Sequence, residues 1–227
     1  MRHQKKRWLA ALLTLCMLLS ILPSISLAFG KSEETWSGNR TNQTIDGGTH
    51  TITLSNLTID SPRLGKSAID ITGNADVTFI LEGNNTLSGR PNHPAIWVQS
   101  GSSVTFEGTG TLNTSAGGTT PGFGAAGIGG GYGADSDFGD ITINGGTIIA
   151  RGSGGGAGIG GGYEVGSGTV TGNVTINGGY VTAIGGSSGS TGGAGIGSGE
   201  NANYSGTVTI NGGVVYAEGG AASPSIG

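Results

Sequence analysis

Cysteine, basic residues and proline are all scarce in this sequence of 227 residues, which has one Cys, ten Lys and Arg, and six Pro. The single cysteine is Cys16, so a mature chain that begins after it can form neither disulfides nor thiolate metal sites. Four of the basic residues lie within 2–7, which leaves six against fourteen Asp and Glu, a net charge of −8. Such an acidic chain should bind neither nucleic acid nor anionic lipid, because phosphate contact needs clustered Lys and Arg.

The N-terminus has the plan of a secretory signal peptide. A basic start over 2–7 precedes an apolar run over 8–21, and small residues stand at 26–28. The apolar run is too short for a comfortable membrane span. Lipidation of Cys16 is disfavoured because the bulky Leu15 precedes it. We therefore predict a cleaved signal peptide over 1–28, a mature chain without a membrane span, and a secreted or cell-surface location.

Glycine is abundant, with 50 residues, all at or after Gly30. A strict three-residue period is missing and proline is rare, which argues against collagen and against a disordered linker. The glycines separate short β-branched stretches, as expected for ordered β-structure with glycine turns.

One phrase, Ile/Val-Thr-Ile-Asn-Gly-Gly, occurs three times, at 141–146, 174–179 and 208–213. Its central isoleucines, Ile143, Ile176 and Ile210, are 33 and 34 residues apart. A fixed period of this size is typical of a solenoid, in which each unit buries its apolar face against its neighbours.

The earlier half follows a looser version of the plan, with three short β-type stretches in the same order in consecutive repeats: 68–71, 77–79 and 86–87, then 95–98, 104–106 and 111–112. Three strands per repeat predict an all-β fold, a right-handed three-sided parallel β-helix over 51–227. The polar stretch 29–50 is expected to be an N-terminal cap or linker. Because 225–227 aligns with the middle of a repeat, we expect either that the chain is part of a longer protein with further modules or that a partner covers its end.

Strand alternation assigns directions to the side chains of the repeat. Both apolar residues of Ile-Thr-Ile should point inwards, so that Ile143, Ile176 and Ile210 form one interior column. Asn-Gly-Gly should turn the corner, since Asn and Gly tolerate positive φ. The repeated asparagines should hydrogen-bond to one another, and the repeated threonines should form an outward row: Asn144, Asn177 and Asn211, and Thr142, Thr175 and Thr209.

The stretch 76–87, Asp-Val-Thr-Phe-Ile-Leu-Glu-Gly-Asn-Asn-Thr-Leu, and the Gly-Ile-Gly-Gly-Gly and Thr-Ile-Asn-Gly-Gly repeats resemble glycine-rich surface proteins of Gram-positive bacteria. Those proteins are often labelled carbohydrate-binding-domain-containing and have a pectate-lyase-like fold. The resemblance covers roughly residues 50–227. It implies an extracellular role near polysaccharide, with a cell-wall or other glycan as partner, but brings no binding residues.

Catalytic residues are not recognisable. The acidic residues are scattered, whereas glycosidases need paired carboxylates in a cleft. His50 and His93 stand alone and are expected at the surface. We therefore expect no enzyme activity, although a polysaccharide lyase or hydrolase with an unrecognised site stays open as an alternative.

The densest acidic patch contains Asp135, Asp137 and Asp140. Its start, together with the preceding Gly-Gly-Tyr-Gly, resembles the nonapeptide of calcium-binding β-rolls. The motif occurs once and Asp137 stands where an apolar residue belongs. Calcium sites of that type lie between consecutive turns, so a solvated loop is the alternative. Calcium is the only cofactor that the sequence suggests.

Tyr132 and Tyr163 both follow Gly-Ile-Gly-Gly-Gly, which should place them one repeat apart on the same edge. We expect both rings to be exposed, and flat exposed rings suit the faces of pyranose sugars. The leading hypothesis is thus a non-catalytic extracellular carbohydrate-binding or adhesion module. A purely structural surface spacer is the alternative.

Overall fold

A computed structural model describes residues 33–60, 65–118, 123–166 and 168–227. The predicted signal peptide over 1–28 lies outside these residues. A short 3-10 turn covers Gly133–Asp135. In chain order the strands are β1 (Glu33–Asn39), β2 (Gln43–Asp46), β3 (Thr49–Ile59), β4 (Ile69–Thr72), β5 (Asp76–Glu82), β6 (Asn84–Pro91), β7 (Ile96–Val98), β8 (Ser103–Gly108), β9 (Thr111–Gly117), β10 (Ile128–Gly129), β11 (Asp140–Ile143), β12 (Thr147–Arg151), β13 (Ile159–Gly160), β14 (Gly168–Val170), β15 (Val174–Ile176), β16 (Tyr180–Ile184), β17 (Ser187–Ser188), β18 (Thr191–Gly192), β19 (Ile196–Gly197), β20 (Ala202–Tyr204), β21 (Val208–Ile210) and β22 (Val214–Glu218).

Parallel pairing between equivalent strands of successive repeats builds two main sheets. The larger runs β21-β15-β11-β8-β5-β3-β6-β9-β12-β16-β22, with β1 also paired to β3, and the smaller runs β19-β13-β10-β7-β4-β2. A parallel pair β14–β20 and an antiparallel pair β17–β18 complete the strands of the described residues. The prediction of an all-β fold with parallel strands is confirmed. These strands form a curled parallel sheet.

The larger sheet bends within β3. Its first part, Thr49–Ser55, pairs with β5, whereas Thr58 and Ile59 pair with β6. Asn56 lies between the two parts with φ +51°, a left-handed conformation that Asn tolerates. The fully buried Asn85 accepts a 2.9 Å hydrogen bond from the backbone N–H of Leu57, and so satisfies the backbone where the sheet bends. On each side of β3, the strands of the sheet follow one another in chain order.

The register of the larger sheet is the one that the repeat predicts. Ile143 pairs with Ile176 and Ile176 with Ile210, while Phe106 precedes Ile143 in the same row. Ile143 and Ile176 are fully buried, which stabilises each strand by about 1.5–3 kcal/mol per side chain. Ile210 continues this row as predicted, but β21 is the edge strand of the described sheet and its side chain is 46% exposed rather than buried.

Glycine turns follow these strands as predicted. The second glycine of each Asn-Gly-Gly has positive φ, +80° at Gly146, +83° at Gly179 and +85° at Gly213. Asn177 donates to Oδ1 of Asn144 across 2.9 Å, and the side chain of the next asparagine along the row repeats this bond. The predicted asparagine ladder is confirmed.

Part of the predicted cap or linker over 29–50 lies within the sheets, because it supplies β1 and β2. Trp36 on β1 is 4% exposed, and its ring centroid lies 6.3 Å from that of Phe79. The Phe79 ring in turn stacks on Phe106 at 5.9 Å. Trp36, Phe79 and Phe106 therefore form an aromatic cluster in the interior next to β1, β5 and β8. All described residues belong to one compact unit, Lys31–Gly227.

Candidate functional site

Most of the site residues singled out from the sequence lie in one set of loops. These loops join the strands of the smaller sheet to β8, β11, β15 and β21, and they comprise 99–102, 130–139, 161–173 and 198–207. We call this set the loop edge. It contains Tyr132, Tyr163, Asp135 and Asp137, and Asp140 follows it directly as the first residue of β11.

Two tyrosine rings of the loop edge stack on each other, and Phe123, from the segment between β9 and β10, packs against one of them. The ring centroids of Tyr132 and Tyr163 are 5.6 Å apart with planes inclined by 15°, and Phe123 packs on Tyr132 at 5.1 Å and 52°. Asn201 donates from its side-chain amide to the hydroxyl of Tyr163 across 3.0 Å. We call Phe123, Tyr132 and Tyr163 the aromatic ladder. The sequence correctly places the two tyrosines one repeat apart on one edge.

The expected exposure of these tyrosines is wrong. Tyr132 and Tyr163 are each partly buried because each ring packs on the other, while Phe123 at the end of the ladder is 41% exposed. The two tyrosines therefore cover one face of each other, and Phe123 is the most exposed ring of the three.

The carboxylate of Glu200 lies beside Tyr163. Thr191 donates its hydroxyl to Oε1 of Glu200 across 2.6 Å. Oε2 of Glu200 is buried and has no hydrogen-bond partner among the described residues. A Cβ added to Gly155 would lie 2.6 Å from this oxygen and 2.7 Å from Cδ2 of Tyr163. Glycine at 155 thus allows the carboxylate and the ring to pack against the same stretch of backbone.

The predicted calcium ligands have separate structural partners. Oδ1 of Asp137 accepts bonds from the backbone N–H of Thr171 at 2.7 Å and from its hydroxyl at 3.2 Å. Oδ1 of Asp140 accepts bonds from the backbone N–H of Asn173 at 3.1 Å and from its side-chain amide at 2.9 Å. Asp135 is exposed in the 3-10 turn. Two of the three carboxylates thus hold one loop to the next, and Asp140 is also the first residue of β11.

Ser136 adds a further link between loops, because its hydroxyl donates to Oε2 of Glu164. Within the described ranges, no group of three His, Cys, Asp or Glu side chains is placed to hold a metal ion. Calcium binding at Asp135, Asp137 and Asp140 stays a prediction.

A polar pocket of about 240 Å³ opens at the loop edge between 100–103 and 171–173. Phe138 lines it, and its ring stacks on Tyr204 with centroids 6.3 Å apart and planes inclined by 9°. The Tyr204 hydroxyl donates to the carbonyl of Gly172 across 3.0 Å. Burial, and then the nearby Asp140 carboxylate, raise the pKa of Tyr204 to about 12. This tyrosine is therefore a neutral hydrogen-bond donor at physiological pH.

A second pocket, of about 180 Å³, lies on the outer face of the smaller sheet between Trp97 and Asp135. The indole N–H of Trp97 is buried without a hydrogen-bond partner among the described residues. Asp70, the neighbour of Trp97 across the β4–β7 pair, is 3% exposed, and its carboxylate lies 3.7 Å from Nζ of Lys66.

The two histidines differ in environment. The imidazole of His50 is 2.7 Å from the carbonyl oxygen of Gly47 within its own turn. His93 is half-buried rather than at the open surface, and burial lowers its pKa below the ordinary value of 6.5 although the carboxylates of Asp70 and Asp135 act in the opposite direction.

The outward threonine row is longer than the repeat suggests. Strand register continues it through six strands: Thr51, Thr78, Thr105, Thr142, Thr175 and Thr209. The predicted members are partly exposed, whereas Thr51 is 5% exposed. The row lies on β-strands of the larger sheet and not in the loop edge.

Sequence reasoning missed the parts of the site that depend on contacts between unequal loops. Glu200 and the Phe138–Tyr204 stack belong to no repeated motif. Gly172 packs against the Phe138 ring, since a Cβ added there would lie 2.7 Å from Cδ2 of Phe138.

Comparison with protein-family models, with curated proteins and with solved structures finds no match to this chain. Across the part of the chain that the structure describes, no helix has the length and apolar character needed to cross a membrane.

Proposed function

We propose that this protein is a non-catalytic extracellular module that binds carbohydrate or mediates adhesion through the loop edge. The observation that carries the proposal is the aromatic ladder, in which Tyr132 and Tyr163 stack in successive repeats beside Phe123. Aromatic rings provide apolar surface for the C–H groups of sugars, while nearby polar groups fix orientation. Asn201 and Glu200 supply an amide and a carboxylate next to the ladder.

The stacked repeats would hold the loops of the loop edge at a regular spacing. Equivalent strands pair in parallel with those of the next repeat at three positions, illustrated by β4–β7, β5–β8 and β6–β9. This progression supports a right-handed three-sided parallel β-helix, which holds successive loops about 4.8 Å apart. Such a stack would present the loop edge as a continuous surface to an extended polymer.

The ligand class follows from charge and from the resemblance of the repeats to Gram-positive surface proteins. The chain carries fourteen acidic residues against ten basic ones, so a neutral or cationic glycan fits it better than a polyanion. A signal peptide over 1–28 would deliver the protein to the cell exterior, where cell-wall and other polysaccharides are found.

Retention on insoluble polysaccharides tests this function. The mature chain should be retained on at least one plant or microbial polysaccharide, and Tyr132→Ala combined with Tyr163→Ala should reduce retention by about tenfold, equivalent to about 1.4 kcal/mol. The control is Tyr180→Ala combined with Tyr216→Ala, since these tyrosines lie on β16 and β22, away from the loop edge, and are 64% and 55% exposed. The control variant should bind like the parent.

Two results would contradict the proposal. Retention on no polysaccharide would favour a structural spacer, and equal loss in both double variants would mean that the loop edge has no special role. Tyr163→Phe distinguishes folding from recognition, because it keeps the stacked ring and removes only the hydroxyl that accepts from Asn201. Release of soluble sugars from a polymer would instead indicate a lyase or hydrolase.

A further inference from the structure

The asparagine ladder is built from three identical segments, 142–146, 175–179 and 209–213, each with the sequence Thr-Ile-Asn-Gly-Gly. Every ladder asparagine is thus followed directly by glycine. In such a pair the backbone nitrogen of the glycine can attack Cγ of the asparagine and close a cyclic succinimide, because glycine has no Cβ to hinder the approach. Since the local sequence is the same three times, any difference in this reaction between the segments comes from the folded structure.

The attacking nitrogens differ in their hydrogen bonds. The N–H of Gly178 donates to the carbonyl of Ile143 across 3.3 Å, and the N–H of Gly212 donates to that of Ile176 across 3.4 Å. The N–H of Gly145 donates to no other group among the described residues. Attack by Gly178 or Gly212 must therefore break a hydrogen bond first, whereas the nitrogen of Gly145 is free.

The side-chain carbonyl of Asn144 is polarised for the attack. Its Oδ1 accepts a 2.9 Å hydrogen bond from the side-chain amide of Asn177. A donor held at this oxygen stabilises the negative charge that develops there when a nucleophile adds to Cγ. Asn177 receives the same help from Asn211, and both side chains have one donated and one accepted bond, so restraint of the side chain does not distinguish them. The free glycine nitrogen does.

Solvent reaches this corner through a pocket of about 310 Å³. Gly145 is one of the residues that line the pocket, whereas Gly178 and Gly212 are not. The side chain of Asn144 is itself exposed. Water and hydroxide therefore have access to the N–H that must lose its proton and to the ring that must then be hydrolysed.

We propose that Asn144–Gly145 is a modification site, at which Asn144 deamidates through a succinimide ahead of the other two Asn-Gly pairs. Hydroxide takes the proton of the Gly145 N–H, and the nitrogen forms a bond to Cγ of Asn144. The Cγ–Nδ2 bond breaks, and Nδ2 gains a proton from water and leaves as ammonia. A second water opens the ring and leaves aspartate or isoaspartate at position 144. The net reaction consumes one water and releases one ammonia, with no change of oxidation state.

The product interrupts the ladder at its first bond. A carboxylate replaces the amide that donates to Oε1 of Glu107 across 3.2 Å, so two negative charges face each other at this corner. Isoaspartate also adds a CH₂ group to the backbone between β11 and the glycine turn. The site lies away from the loop edge, and the proposal does not depend on carbohydrate binding.

Incubation of the folded mature chain at neutral and at mildly alkaline pH, followed by proteolysis and mass spectrometry, measures the reaction at each asparagine. Asn144 should react about fivefold faster than Asn177, which corresponds to one hydrogen bond of about 1 kcal/mol at the glycine nitrogen. All three rates should rise with pH because the nitrogen attacks without its proton. In urea, where the identical segments lose their different environments, the three rates should be equal.

Ammonia release from two matched variants provides a second measurement. Asn144→Gln keeps an amide but would have to close a larger ring, so the fast release of the parent should disappear. Asn211→Gln makes the same change two repeats away and should keep the fast release. Equal rates at Asn144 and Asn177 in the folded chain, a faster reaction at Asn211, or fast release that persists in Asn144→Gln would each overturn the proposal. Reaction in urea but at none of the three in the folded chain would overturn it too, because the ladder would then protect every asparagine.

Discussion

The side-chain amide of Asn211 donates to Oδ1 of Asn177 across 2.8 Å, and Asn177 donates in the same way to Asn144. Asn144 continues the series by donating to Oε1 of Glu107 across 3.2 Å. Asn177 therefore takes part in two bonds of this ladder and Asn211 in one. Each bond joins one repeat to the next at the corner after the strand, beside backbone bonds such as that from Asn177 N–H to the carbonyl of Ile143 at 2.8 Å.

Asn177→Ala should lower the free energy of unfolding by about 1 kcal/mol, within the usual range for hydrogen bonds between neutral groups. Asn211→Ala should cost about half as much because it removes one bond instead of two. Urea denaturation followed by circular dichroism measures both values. Equal losses would mean that the ladder bonds contribute little and that asparagine is retained for its turn conformation alone.

Ile176 and Ile210 occupy the same position of the repeat but differ in burial, from fully buried to 46% exposed. Ile176→Ala should destabilise the protein by about 2–5 kcal/mol, since it leaves a cavity in a packed column. Ile210→Ala should cost about 1 kcal/mol, because roughly half of its apolar surface is already in water. Urea denaturation of the two variants measures both values side by side. If Ile176→Ala unfolds like the parent, the strand register is wrong.

The strand register of these isoleucines could be predicted from the sequence, but not the burial of each one. Strand type, alternation and register follow from local chemistry, because β-branched triplets at a fixed period leave one way to align apolar residues. Ile143 and Ile176 were predictable for that reason. Burial of Ile210 was not, because it depends on whether another strand lies above β21, which no local pattern encodes.

Contacts between loops are harder to predict from the sequence than the register of strands. The order of Tyr132 and Tyr163 could be predicted since both follow the same glycine motif. Their mutual stacking could not, because the loops 130–139 and 161–173 differ in length and carry different residues.

Acid should weaken the fold through His93. Burial lowers the pKa of His93 in the folded protein below 6.5, so the unfolded chain takes up the proton first as the pH falls. Above pH 6.5 both states are neutral at this residue and stability is unaffected, whereas below it the folded state loses stability down through the folded pKa. His93→Gln should therefore lose less stability than the parent between about pH 7.5 and about pH 5.5.

Urea midpoints at the two pH values measure this difference. The other histidines, including His50, are present in both proteins and cancel in the comparison. Identical pH profiles for parent and variant would contradict the buried environment of His93.

Replacement of Asp137 tests whether the acidic patch has a structural role or binds a metal ion. Its carboxylate accepts two bonds from Thr171, so Asp137→Ala should cost about 1.5–3 kcal/mol, the range for bonds to a charged group. The loss should be the same in EDTA and in calcium. A rise in the parent's melting temperature with calcium that Asp137→Ala abolishes would instead establish a calcium site here.

Gly172 packs directly against Phe138, whose ring stacks on Tyr204. A Cβ at this position would lie 2.6 Å from the carbonyl oxygen of Phe138 and 2.7 Å from its ring, and φ is +120°. Gly166 has a similar φ of +117° but no atom within 4 Å of an added Cβ. Both alanine variants thus bear the cost of an unfavourable backbone conformation, about 1–3 kcal/mol, and only Gly172→Ala adds a collision. It should therefore be less stable than Gly166→Ala and should lose near-ultraviolet circular dichroism from the stacked rings, whereas equal stability and unchanged spectra would mean that the rings do not need this glycine.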